Sequence, residues 1–91
     1  MSTVRIPLVL RDSTDGQRNV EVTGASVAAA LEDLFGRHPA LRERVTVDGR
    51  LSEFINVYLN DRDVRYLDGP DTPVAEGDTI ILLPAMAGGA R

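Results

Sequence analysis

Glu76-Gly77-Asp78-Thr79-Ile80-Ile81-Leu82-Leu83-Pro84 is the stretch on which the fold turns. Gly77-Asp78 is turn chemistry, and residues 79–83 form a short apolar run closed by Pro84, the pattern of a strand. Successive strand side chains point to opposite faces, so Ile80 and Leu82 share one face and Ile81 and Leu83 the other. Both sets are apolar. Only one can face a packed helix, so the other is expected to leave an exposed apolar patch.

The beginning of the chain alternates as well. Over residues 3–10, Val4, Ile6, Leu8 and Leu10 fall on one face and Arg5, Pro7 and Val9 on the other, the period of a half-buried strand. Pro7 has no N–H and is expected at a bulge or an unpaired position. Residues 11–17, with Asp15-Gly16 inside them, read as a turn into a second short strand carried by Val20 and Val22.

After Ser26, a good N-cap, the spacing becomes helical. Val27, Ala30, Leu31, Leu34 and Phe35 form one apolar stripe. Gly36 is read as the stop, and Pro39 as the opening of a further helical turn through Arg44. Asp48-Gly49 marks a turn. Residues 54–59 make the third clear strand, which Asn60-Asp61-Arg62-Asp63 turns into a short strand at 64–67, and a loop rich in Gly, Pro and Asp over 68–78 leads into the last strand.

This order predicts an α+β fold, a mixed sheet of four to five strands packed on one main helix. The first and last strands belong side by side and parallel in the centre, the β-grasp (ubiquitin-like) arrangement. One domain over residues 1–84 is expected, followed by a flexible tail at 85–91.

Composition narrows the function. A chain of 91 residues can bury one modest core and has little room for a deep enzyme pocket. The net charge of −4 disfavours nucleic acid, whose phosphates need clustered cations. Every basic side chain is Arg, so the chain offers no ε-amine and only its N-terminus as an acyl acceptor. It has no Cys, which removes disulfides, thiolate metal sites and a cysteine nucleophile. No apolar run is long enough to span a bilayer and the first residues lack a secretory pattern, so a cytoplasmic protein is expected.

Catalytic groupings are sparse. His38 beside Pro39 reads as a solvated loop histidine, and nothing orients a set built on Ser13 and His38. Asp61 and Asp63 lack the further oxygens of a calcium loop and read as turn residues. No phosphate-cradling glycine loop is present, so any ATP is expected to be used by a partner, with no cofactor or metal bound by this chain.

The informative part is the end of the chain. Gly88-Gly89 follows an apolar strand and Pro84, with no charge before Arg91. Six extended residues from Pro84 to Gly89 reach about 20 Å at ~3.3 Å each, enough to thread a narrow channel in another protein. Glycine lets a catalytic centre close around the backbone carbonyl because no Cβ intervenes.

Residues 76–84 followed by Ala85-Met86-Ala87-Gly88-Gly89 resemble the end of the MoaD/ThiS ubiquitin-like sulfur carriers. Residues 54–65, from Phe54-Ile55-Asn56 to Asp63-Val64-Arg65, resemble their central strand-turn-strand. Together with Arg5-Ile6-Pro7-Leu8-Val9-Leu10-Arg11 they look closest to the CysO type. The resemblance covers almost the whole chain and implies a carrier that acts as a co-substrate, not an enzyme. A ubiquitin-activating-type adenylyltransferase/sulfurtransferase would adenylate the terminal carboxylate of Gly89 with ATP, and a sulfur source would replace AMP to leave a thiocarboxylate. A CysO-like carrier would then pass sulfur to an activated serine on a PLP-dependent cysteine synthase, and a metallopeptidase would release cysteine. Molybdopterin, thiamine or a thio-containing secondary metabolite are the other destinations the family implies.

One departure matters. Ala90-Arg91 follow the second glycine, where the family's active carriers end, so cleavage between Gly89 and Ala90 is expected to precede activation. Phe54, Tyr58, Ile81, Leu83, Pro84 and Met86 are the expected partner-binding residues, with Ile55, Val57 and Leu59 on the core side. Two readings of other classes stay open: a protein modifier joined through the same Gly-Gly to partner lysines, and a non-covalent interaction subunit.

Overall fold

The computed structural model describes residues 1–84. Its main sheet has five strands: β1 (Ser2–Arg5), β2 (Asn19–Val22), β5 (Ile55–Leu59), β6 (Arg62–Asp63) and β7 (Thr79–Pro84), while β3 (Thr46–Val47) and β4 (Arg50–Leu51) form a separate small hairpin. The spatial order is β2-β1-β7-β5-β6. β1 and β7 run parallel, with Thr3 beside Thr79 and Arg5 beside Ile81. Every other pair in this sheet is antiparallel, as expected for a β-grasp domain.

Helix α1 (Val27–Arg37) covers one face of that sheet. Ser26 caps it as expected, its Oγ accepting from the Ala29 N–H at 3.2 Å, worth about 1 kcal/mol. The stripe Val27, Ala30, Leu31, Leu34 and Phe35 is buried throughout. It packs with Val4, Ile6, Val20, Val22, Ile80 and Leu82 from the sheet, and each large side chain contributes roughly 1.5–3 kcal/mol over leaving it in water. The helix continues one residue past Gly36 and ends at His38, whose backbone N–H donates to the Leu34 carbonyl. Gly36 is therefore not the stop. The turn that ends the helix is made at His38, where Pro39 enforces a non-helical backbone and opens α2 (Pro39–Val45).

Two strand assignments need correction. The ladder of β1 ends at Arg5, and residues Leu8–Thr14 form a 3-10 helix. Pro7 caps its start and accepts from the Leu10 N–H at 2.9 Å. Three residues per turn then bury Leu10 while leaving Leu8 and Val9 outside, so Leu8 does not join the core that alternation assigned it to. The second correction is at residues 64–67, where Val64–Tyr66 is again 3-10. Asp63 terminates β6 by accepting from the Arg65 N–H at 2.9 Å and caps the turn in place of a longer strand.

Positive backbone angles fall where the hairpins require them. Asp48 (φ 55°) and Gly49 (φ 81°) make the two-residue turn of β3–β4. Asn60 (φ 57°) turns β5 into β6, and its Oδ1 accepts from the Thr79 N–H at 3.1 Å, tying that hairpin to the start of β7. α1 is also fixed to β2. The Asp33 carboxylate accepts from the Thr23 N–H at 3.0 Å and from Arg37 at 2.9 Å, while Arg37 donates as well to the Glu21 carbonyl.

Candidate functional site

β7 delivers the chain to its end. Placed between β1 and β5, it runs to Pro84, which pairs with Ile55 at the first residue of β5. The alternation expected of it is present. Ile80 and Leu82 are fully buried, Ile81 is half-buried and Leu83 is 41% exposed on the opposite face.

Register assembles that opposite face. Ile81 lies between Arg5 on β1 and Tyr58 on β5, and Leu83 lies beside Asn56. Tyr58 is half-buried, whereas Phe54, immediately before β5, is half-exposed. Val57 and Leu59 point into the core, and Ile55 packs against it. Tyr58, Ile81 and Leu83 are thus brought to one outer face, whereas Pro84 shares the parity of Ile80 and Leu82 and, with Phe54 just before β5, stands at the end of the sheet. Met86, Gly88, Gly89 and Ala90, like the tail as a whole, lie outside the described residues.

Two surroundings of this face were not legible in the sequence. The 3-10 helix Leu8–Thr14 holds Leu8 and Val9 in solvent beyond the end of β1, and it is fastened to α2 by Arg44. That side chain donates to Asp12 at 2.6 Å, to Ser13 Oγ at 3.1 Å and to the Val9 carbonyl at 3.0 Å. Ser13 is therefore an acceptor for Arg44, and among the described residues its hydroxyl has no bond to His38. On the helix side, an open groove of about 550 Å³ runs between α1, the β3–β4 hairpin and β5. Leu31, Phe35, Leu51, Val57 and Val64 line it, and Arg42 stacks over Phe35 at 5.4 Å while pairing with Glu32 at 2.8 Å.

Charge at the far edge is internally matched. The guanidinium of Arg65 bonds both oxygens of Asp63, at 2.7 to 3.2 Å. That contact, reinforced by the Arg65 N–H, holds the Asp63 carboxyl below the usual carboxylate range. Asp63 is thereby a structural cap and ion-pair partner. His38 takes part through its backbone, linking α1 and α2. The described residues thus present an apolar outer face beside the end of β7, and the ion pairs of Arg37, Arg44 and Arg65 brace the frame around it.

The ThiS family model matches residues 4–89 of the chain. The sulfur carrier protein CysO of Mycobacterium tuberculosis is 41% identical over 90 residues, covering 96% of this chain and 97% of that one. Among solved structures, a chain of the Amycolatopsis orientalis BexX/CysO complex superposes with a TM-score of 0.88 at 44% identity, covering 98% of this chain and all of that one. The small archaeal modifier protein SAMP1 of Haloferax volcanii superposes with a TM-score of 0.79 at 35% identity, covering 97% of this chain and 98% of that one.

Proposed function

The chain belongs to the ThiS family, and from that premise we propose that it is a sulfur carrier whose working atom is the terminal carboxylate of Gly89, exposed once Ala90-Arg91 are removed. It is a small carrier that partner enzymes act upon, not itself an enzyme. The observation that carries the reading is positional. Gly89 is the fifth residue of the sequence after Pro84, the last residue of a strand whose outer face carries Ile81 and Leu83 next to Tyr58 of β5.

The chemistry follows from what a carboxylate lacks. As an anion it resists nucleophiles, so its oxygen must first attack the α-phosphorus of ATP on an activating partner, expelling pyrophosphate and forming an acyl-adenylate. A sulfur nucleophile then adds to the carbonyl, AMP leaves, and the terminus becomes a thiocarboxylate. This accounts for sulfur carriage by a chain without Cys: the reactive sulfur belongs to the main-chain end.

We place the activation on a ubiquitin-activating-type adenylyltransferase/sulfurtransferase and the delivery, for a CysO-like carrier, on a PLP-dependent cysteine synthase. A metallopeptidase would then free the product. The likeness to a chain of the BexX/CysO complex supports a protein partner of that general kind. No helix among the described residues is long and apolar enough to cross a membrane. The likeness to SAMP1 supports a second use of the same terminus, amide conjugation to lysines of other proteins.

Leu83→Glu tests the docking face. A carboxylate placed on this half-exposed position faces the partner, not the core, so the concentration of carrier that half-saturates activation is expected to rise at least tenfold, with the melting temperature almost unchanged. Unaltered activation would remove Leu83 from the interface, and loss of folding would show that the faces of β7 are reversed.

A further inference from the structure

Of the seven large apolar side chains that the described residues leave exposed, five gather at one end of the domain: Leu8, Val9, Val47, Phe54 and Leu83. The topology places them there. β1 and β7 are parallel, so the 3-10 helix beginning at Leu8 starts beyond the same end of the sheet at which β7 reaches Leu83 and Pro84. β5 runs the other way and begins at Ile55 opposite Pro84, which puts Phe54 at that end too. Val47 is on the β3–β4 hairpin, which joins the end of α2 to the start of β5, and the end of α2 is bonded through Arg44 to Val9 and Asp12. Met1 lies at the opposite end of β1, and Tyr66 follows β6, which pairs with the far half of β5.

These side chains are held on rigid supports. Leu10, between Val9 and Arg11, is buried, and Arg44 clamps the Val9 carbonyl. Leu8 and Val9 are consequently displayed at 75% and 60% exposure by a fixed turn. Ordered apolar groups lose little entropy on binding, which makes them effective docking elements.

We propose that Leu8, Val9, Val47, Phe54 and Leu83 form an end-on collar around the root of the tail, and that its occupant is the apolar rim of the active-site mouth in the protein that activates Gly89. This rests on the reading of Gly89 as the activated terminus. Tether length limits the occupant to a protein whose active site closes on Gly89, and the activating protein is the first that must do so. Gly89 is five residues beyond Pro84, and at ~3.3 Å per residue it can be no more than about 17 Å from it. An active site that closes around Gly89 must therefore bring its entrance against the end of the domain where the collar stands. The collar extends contact from the outer sheet face to the 3-10 helix and the small hairpin.

The test uses the Gly89-terminated chain with the ubiquitin-activating-type adenylyltransferase of its own cell, read by ATP–pyrophosphate exchange. The double variant Leu8→Ser/Val9→Ser and the single variant Val47→Ser are compared with Tyr66→Ser as the off-collar control. Both collar variants are expected to raise the half-saturating carrier concentration, the double one at least tenfold. The maximal exchange rate should stay within twofold and the melting temperature close to that of the parent, and Tyr66→Ser should match the parent throughout. If the parent is activated and both collar variants saturate at its concentration, the collar is overturned while the Gly89 reading stands. If the parent itself supports no exchange, the Gly89 reading fails and the collar falls with it.

Discussion

The chain ending at Gly89 is expected to support ATP–pyrophosphate exchange with its activating partner, and the 91-residue chain to support none above background. The difference should reach at least about a thousandfold. Two added residues move the terminal carboxylate up to roughly 7 Å further along the chain, whereas misplacement by only about 1 Å commonly costs on the order of a hundredfold in rate. They also put the Cβ of Ala90 and the cation of Arg91 where a glycine backbone is expected to be enclosed. Efficient adenylation of the full 91-residue chain would overturn the requirement for cleavage between Gly89 and Ala90.

Gly24→Ala is expected to lower the stability of the domain by about 3 kcal/mol, read as a fall in the urea midpoint at an unchanged slope. Gly24 has φ of 156°, and a Cβ there would come within 2.5 Å of the Ala30 nitrogen and 2.7 Å of the Ala29 carbonyl carbon. Both are backbone atoms of α1, held by the Ser26 cap and by the Asp33 bond to Thr23, so neither can move aside cheaply. Gly36 supplies the contrast. It lies within α1 with nothing near its missing Cβ, so Gly36→Ala should stabilise by about 0.5–1 kcal/mol through helix propensity. Equal effects from the two substitutions would show that close approach of α1 to the β2 end is not what selects glycine at position 24.

Much of this fold is legible because its central elements obey one periodicity each. The stripe from Val27 to Phe35 repeats at helical spacing and is buried to the last member. Ile80 and Leu82 alternate with Ile81 and Leu83, and the structure divides them as the alternation requires. The failures arise where two geometries share a pattern. Val4, Ile6, Leu8 and Leu10 fit a strand, but a 3-10 turn starting after Pro7 buries Leu10 equally well and turns Leu8 outward. At Asp63, local capping of the Arg65 N–H starts a 3-10 turn over Val64–Tyr66 in place of the short strand expected at 64–67. The β3–β4 hairpin escaped for a different reason. Asp48-Gly49 is visible as a turn, but strands of two residues are too short to show any period.

The same contrast divides the site. Leu83 and Tyr58 could be placed on the outer face because strand parity places them, once the neighbours of β7 were known. Leu8 and Val9 could not, since their exposure depends on where β1 stops, and only the tertiary bonds of Arg44 and the packing of Leu10 decide that. Gly88 and Gly89 are the reverse case: their meaning comes from chemistry and chain position, which sequence carries in full.

The most direct test is the intact mass of the protein isolated from its own cell under conditions that protect thioacids. A sulfur carrier with Gly89 as its working residue is predicted to include a species that lacks Ala90-Arg91. That species should be heavier than the Gly89-terminated chain by the difference between one sulfur and one oxygen. A population consisting only of the unmodified 91-residue chain, or of chains joined by amide bonds to other proteins, would contradict it.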